Sequence, residues 1–225
     1  MTKHLATIQL DTAPDTTASV IWMHGLGASP TDFVSMPQEL DLQGLEGIRF
    51  IFPYAPTRPV TANGGYVMPA WYDFLHFDFD RQGREDEATI RTSQQLIEQL
   101  MEQEIARGIA PERIVLAGFS QGCVMALQTG LRYPHKLGGL MCLSGYLPLA
   151  EKAAAESSAA SRETPVFMVH GKADPVIPIE YSLRSRDFLA GLGYQIEWHD
   201  YNMPHAVCPE EIGHIGAWLR KVLAA

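Results

Sequence analysis

Short apolar runs bounded by turn-forming residues recur along the chain at 19–23, 48–53, 113–118, 139–144, 165–170 and 195–201. Several lack the alternation of a strand with one wet face and read as strands buried on both faces. Between them the apolar positions shift to a helical period. The clearest case is 85–107, where Ile90, Ile97, Leu100, Met101, Glu104 and Ile105 fall largely on one stripe and Gly108 supplies a stop. Further helices are predicted at 121–133, ended by Pro134, at 179–192, ended by Gly193, and at 210–223. Strand and helix alternate. That pattern predicts an α/β fold with a mainly parallel sheet, helices on both faces, and ligands gathered beyond the carboxyl ends of the strands. One more strand is expected near an edge at 4–10.

Two stretches break this rhythm. Residues 54–83 form a long loop punctuated by proline and glycine that carries Tyr66, Trp71, Tyr72, Phe74, Phe77 and Phe79. Long apolar loops in compact domains are usually functional. Residues 151–162, rich in alanine and serine, are expected to be an exposed, mobile connector. A chain of 225 residues with 46% hydrophobic content can bury one substantial core, so a single domain over 1–225 is expected.

A formal net charge of −9 argues against nucleic-acid or anionic-membrane partners. Cys123, Cys142 and Cys208 lack C-x-x-C spacing, which favours reduced thiols in a cytoplasmic protein over a disulfide framework or a zinc site. The opening Met1-Thr2-Lys3-His4 leads into no apolar segment, and no run of about 18 apolar residues occurs, so neither secretion nor stable membrane insertion is expected.

The most specific chemical signal is Gly118-Phe119-Ser120-Gln121-Gly122, a G-x-S-x-G that follows a strand-like run and opens a helical one. A serine on a sharp strand-to-helix turn needs a strained backbone, and glycines two residues either side remove clashes with neighbouring segments. The turn also aims the Gln121 N–H at the oxygen that becomes negative in a tetrahedral intermediate. In this architecture the acid and then the histidine follow the serine, each on a loop after a later strand. Asp174 lies just past the run at 165–170, whereas Glu180 and Asp187 fall in a helical pattern and Asp200 in a strand. His205 sits between the last strand and the last helix, while His199 lies in a strand and His214 in a helix. His170 precedes the acid and reads as a structural hydrogen-bonder. Ser120 as nucleophile, His205 as general base and Asp174 as its orienter is the assignment this order supports. His24-Gly25-Leu26-Gly27 follows the run at 19–23, where a second oxyanion donor loop belongs; Leu26 supplies the N–H and His24 holds the loop.

Together with Pro53-Tyr54-Ala55-Pro56, Met68-Pro69-Ala70-Trp71-Tyr72-Asp73, Leu143-Ser144-Gly145-Tyr146-Leu147-Pro148 and Met203-Pro204-His205, these blocks closely resemble the acyl-protein thioesterase and carboxylesterase family of α/β hydrolases, in the family's order. The resemblance implies a small α/β-hydrolase fold without a large cap domain, needing no metal or cofactor. It implies action on small carboxylic esters, lysophospholipids or acyl thioesters, with acylated proteins among the candidates. It assigns the same triad, the Leu26 and Gln121 amides as oxyanion donors, and 68–75 (Met68, Trp71, Phe74, Leu75) as part of an acyl groove. On physical grounds Trp71 and Phe74 fit the core equally well. Cys123 departs from a common glycine, and Tyr72 from a common phenylalanine. A serine peptidase or amidase fits the same triad, and a hydrolase-like binding protein fits the same fold. Apolar residues around Trp71, if exposed, would support a weak homodimer covering the groove.

Overall fold

The structure, a computed structural model, describes residues 4–79, 81 and 83–224. The start of the chain at 1–3 lies outside the described residues, as do positions 80 and 82 of the long loop. In chain order the elements are β1 (Thr7–Asp11), β2 (Thr16–Met23), α1 (Met36–Glu39), β3 (Gly47–Pro53), β4 (Thr57–Val60), β5 (Tyr66–Pro69), α2 (Glu87–Ala106) and β6 (Ile114–Phe119). They continue with α3 (Gln121–Arg132), β7 (Gly139–Leu143), α4 (Ala150–Glu156), β8 (Val166–Gly171), α5 (Ile179–Gly191), β9 (Ile196–Tyr201) and α6 (Pro209–Val222). Among the described residues, seven strands form one sheet in the order β1-β3-β2-β6-β7-β8-β9. Only β1 runs antiparallel, paired along β3 at the sheet's edge.

The continuous apolar strands follow from their two buried faces. Ile21 and Met23 of β2 belong to one core cluster, with residues of α2, α3 and α5, while Val20 and Trp22 belong to the other, with residues of α1 and α6. Successive side chains of a strand point to opposite faces, so a strand covered on both sides is mostly apolar; the buried Ser19 of β2 is accommodated by donating to Glu104 (2.6 Å). No helix among the described residues is long and apolar enough to cross a membrane.

Two expectations need correction. The long loop contains the antiparallel pair β4–β5, a hairpin of its own. The supposed mobile connector holds α4 and a short 3-10 turn at Ala160–Glu163. Its alanines favour helix, and ion pairs from Arg91 (2.7 Å) and Arg132 (2.6 Å) to Glu156 fasten its end.

The topology explains where the chemistry collects. From β2 the sheet grows one way to β3 and β1, and from β6 the other way to β7, β8 and β9. The crevice beyond the carboxyl ends of β2 and β6 is therefore a switch point, where connections diverge and leave room for a ligand. One strand delivers the His24 loop there and the other delivers Ser120.

Behind this crevice α6 carries a buried acid, Glu211, in its first turn. A helix N-terminus favours a carboxylate. Burial outweighs that here and pushes the Glu211 carboxyl up to about 8, against a smaller opposing pull from the Cys208 backbone. The folded state thus holds a proton the unfolded chain releases above about 4.5. The resulting stabilisation is complete below that value and is lost as pH rises through about 8. Urea unfolding at pH 5 and pH 8.5 is expected to show wild type losing stability relative to Glu211→Gln, on the order of a few kcal/mol. Parallel pH profiles for the two proteins would contradict this account.

Candidate active site

Ser120 sits between the end of β6 and the start of α3 with φ 56° and ψ −117°. A non-glycine residue at positive φ costs about 1–3 kcal/mol, so neighbouring contacts must hold it. They do: the Ser120 N–H donates to the Leu143 carbonyl (2.9 Å), and the Val124 N–H to the Ser120 carbonyl (3.2 Å). The flanking glycines are needed for space. A Cβ on Gly118 would lie 2.2 Å from the Gly122 carbonyl, and one on Gly122 would lie 2.1 Å from the Met23 carbonyl oxygen.

The loop after β2 lies directly against this turn, with a notional Cβ on Gly25 only 3.4 Å from the Ser120 Cβ. His24 braces it. Its Nδ1–H donates to the Gly25 carbonyl (2.8 Å), and its Nε2 accepts from the Ala55 N–H (3.1 Å). Both contacts suit the neutral ring, and burial moves its pKa down, away from the charged form. The Gly27 N–H donates to the Pro69 carbonyl (2.8 Å), tying the loop to β5.

Asp174 and His205 arrive on neighbouring loops. A Cβ on Gly171 would meet the carbonyl oxygens of Met203 (2.4 Å) and Pro204 (2.5 Å), so the chain leading to His205 runs flush against the end of β8. The His205 Nδ1–H donates to Asp174 Oδ2 at 2.6 Å. Asp174 Oδ1 accepts the N–H groups of Val176 (2.8 Å) and Ile177 (2.9 Å). His170 Nε2 lies 2.8 Å from the Ile177 carbonyl and 3.3 Å from Asp174 Oδ2, so its proton also faces the acid. Burial would raise the Asp174 carboxyl; hydrogen bonds from His170, His205 and the Ile177 amide outweigh it and hold the group well below the usual carboxylate range.

Ser120 and His205 line the same cleft, of about 600 Å³, and the Phe119 and His205 rings are 4.7 Å apart. Its apolar walls include Leu26, Phe33, Phe74, Phe77, Phe79 and Ile177, and Asp32 stands among the lining residues. Of the groove residues expected from the sequence, Phe74 lines this cleft while Met68, Trp71 and Leu75 do not. Trp71 is fully buried. Its indole N–H donates to the His24 carbonyl (2.9 Å) and its backbone N–H to Gln121 Oε1 (2.7 Å), so it packs against the loop after β2. That burial also removes Trp71 from any dimer surface. Met68 packs against the core beside Gly27, and Leu75 is 41% exposed.

Phe77 and Phe79, aromatic residues of the long loop outside the expected groove, stand on this wall, as do Phe33, Val176 and Ile177, which no motif in the sequence marks. The available signal for the last two was their place directly after Asp174-Pro175, at the mouth of a loop already tied to the site. Gln121 does more than begin α3. Its side chain accepts from Trp71 and donates to the Tyr72 carbonyl (2.9 Å). The Tyr72 hydroxyl lies 3.3 Å from that of Tyr146, which donates to Glu85 Oε1 at 2.6 Å. Cys123 is buried with its sulfur against Gly145, where a Cβ would be 2.5 Å away.

The chain matches a model of the phospholipase/carboxylesterase family over residues 5–223. It is 41% identical to an acyl-protein thioesterase 1 of Gibberella zeae, covering 97% of this chain and 96% of that protein. Crystal structures of Arabidopsis thaliana SOBER1 (30% identity, TM-score 0.86, covering 92% and 99% of the two chains) and Zea mays acyl-protein thioesterase 2 (26%, 0.81, covering 98% and 100%) share its fold. The chain therefore belongs to the phospholipase/carboxylesterase family of α/β hydrolases.

Proposed function

We propose that this hydrolase cleaves carboxylic esters and acyl thioesters through an acyl-enzyme on Ser120, with His205 as general base and Asp174 fixing the imidazole. The observation that carries the reading is the 2.6 Å Asp174–His205 hydrogen bond at the edge of an apolar cleft that His205 and Ser120 both line. With Nδ1–H committed to Asp174, the neutral ring has Nε2 available to accept the Ser120 hydroxyl proton. Oγ then bonds the substrate carbonyl carbon. The carbonyl oxygen takes the negative charge beside the Leu26 and Gln121 amides, the second at the N-terminus of α3. Among the described residues the Leu26 N–H has no protein acceptor, which leaves it available to an oxyanion. Collapse breaks the bond to the leaving oxygen or sulfur, which takes the proton from His205. Water repeats the cycle, freeing the carboxylic acid and restoring the Ser120 hydroxyl.

The phenylalanine-rich walls favour an acyl chain. The similarity to acyl-protein thioesterases supports acylated proteins and small acyl thioesters among the substrates. All the proposed groups hang from one sheet, consistent with a chain working as one domain, and the three free cysteines suit a reducing cytoplasm. A fluorophosphonate is expected to label the wild type stoichiometrically and Ser120→Ala not at all, while a p-nitrophenyl ester outruns the matched anilide. Persistent labelling of the alanine variant would overturn the assignment.

A further inference from the structure

Next to the apolar cleft lies a second cavity of about 360 Å³ with a different chemistry. Its walls include Arg81, Arg84 and Arg184 together with Phe79, Tyr146 and Tyr181, and among the described residues no carboxylate side chain lines it. In a chain of formal net charge −9, with 17 Lys and Arg against 26 Asp and Glu, this cavity brings three guanidinium groups together, and among the described residues only Arg84 of the three has a carboxylate partner, Glu85.

The arrangement is built rather than incidental. The Arg84 guanidinium carbon lies 4.9 Å from the Phe79 ring centre, 4.5 Å from Tyr146 and 5.5 Å from Tyr181, and its Nε is 2.7 Å from Glu85. That pair and the rings fix Arg84 as an ordered wall. The Arg184 guanidinium carbon lies 5.1 Å from the Tyr181 ring centre. Arg81 and Arg184 are exposed, and among the described residues neither forms an ion pair with a carboxylate. Phe79 joins the two spaces: it lines the cleft that holds Ser120, and its ring packs 5.5 Å from Tyr146 and 4.9 Å from Tyr181 in the second cavity.

We propose that this arginine-lined cavity binds a phosphate group carried by the leaving group, several bonds from the scissile ester or thioester. The proposal rests on Ser120 as the nucleophile: with the acyl chain in the apolar cleft, a leaving group that passes Phe79 enters the second cavity. Guanidinium groups bind phosphate oxygens through paired, charge-assisted hydrogen bonds, and the neighbouring rings accept apolar parts of the same group. The shared ligand chemistry is a phosphate ester, carried either by a nucleotide thiol or by a lysolipid headgroup.

Two matched pairs separate these sources. One is octanoyl-coenzyme A against the octanoyl thioester of N-acetylcysteamine; the other is 1-octanoylglycerol 3-phosphate against 1-octanoylglycerol. In at least one pair the phosphate-bearing substrate is expected to show roughly tenfold higher kcat/KM at low salt, and the advantage should shrink as ionic strength rises. The pair that shows it identifies the source. The double variant Arg81→Ser/Arg184→Ser, whose exposed side chains leave the core untouched, is expected to raise KM for that substrate about tenfold and leave its neutral partner unchanged. Equal handling of charged and neutral substrates in both pairs, or a variant that slows both members alike, would overturn the proposal. Titration calorimetry of Ser120→Ala with coenzyme A and with glycerol 3-phosphate decides the cavity independently of turnover. Binding of either that the double substitution weakens supports the site, and heat from neither rejects it. If no ester is hydrolysed, the nucleophile assignment falls while the calorimetry still judges the cavity.

Discussion

Replacing His205 with alanine is expected to lower kcat on a p-nitrophenyl ester by about 10⁴–10⁶-fold, the range in which triad members fail when one is removed. No other histidine near Ser120 is free to take its proton: His24 is committed on both nitrogens, and His170 directs its Nε2 at Ile177 and Asp174. Asp174→Asn should cost on the order of 10⁴-fold, for a reason visible in the hydrogen bonds. Four N–H groups converge on the carboxylate, those of Val176 and Ile177 on one oxygen and those of His170 and His205 on the other. An asparagine must set its NH₂ against one of these donor pairs, whichever way it is turned. Either the imidazole is released or the loop after β8 is loosened, so this variant should also melt earlier, whereas His205→Ala should not. Steady-state kinetics beside thermal melts check both expectations. Residual activity within tenfold of wild type in either variant would mean that the proton leaves Ser120 by another route.

The second large effect is steric. Gly122→Ala is expected to destabilise the protein by several kcal/mol, at the extreme of single substitutions. An added Cβ would stand 2.1 Å from the Met23 carbonyl oxygen, 2.6 Å from its carbon and 2.9 Å from the His24 carbonyl oxygen. All three are backbone atoms where β2 turns into the donor loop, so no side chain can swing aside. Helix propensity alone predicts the opposite sign, since alanine is favoured over glycine inside a helix by about 1 kcal/mol. Gly213→Ala in α6 provides the contrast. Nothing lies within 4 Å of its notional Cβ, so the propensity gain should appear there unopposed. Chemical denaturation of the two variants beside wild type should therefore move in opposite directions. A Gly122→Ala protein as stable as wild type would mean that α3 can slide away from β2.

How much of this could be read beforehand depended on whether the signal was local. β6, β7 and β8 announced themselves because a strand covered on both faces has few polar positions to confuse the pattern, whereas β9, at the sheet's edge and carrying Glu197, His199 and Asp200, was read from its place between two helical patterns. The serine turn was legible because its two glycines answer backbone clashes within a few residues of each other. The loops bearing Asp174 and His205 could be picked by their order after Ser120, but the distance between the two groups depends on Gly171 letting the chains touch. The cleft wall was less legible. Trp71, Phe74 and Phe77 are all aromatic and close in sequence, yet Trp71 is buried, Phe74 lines the cleft and Phe77 is half exposed. What separates them is a set of partners far along the chain, Gln121 and His24 among them. The segment at 151–162 misled for a related reason: its small residues resemble a linker until Arg91 and Arg132 close on Glu156.

Gln121 has a consequence for how such a molecule could be altered. Its main chain follows Ser120 directly while its amide side chain grips Trp71 and Tyr72. A graft of the 54–86 segment from a relative would therefore inherit a latch it has to match, or else shift the first turn of α3 along with the loop. Diversification is freer downstream of that latch, at Phe77 and Phe79, whose rings pack on Phe74, Tyr146 and Tyr181, than at Phe74, whose ring lies 5.0 Å from Tyr72. The enzyme's appetite for different chains can thus drift while its chemistry stays anchored.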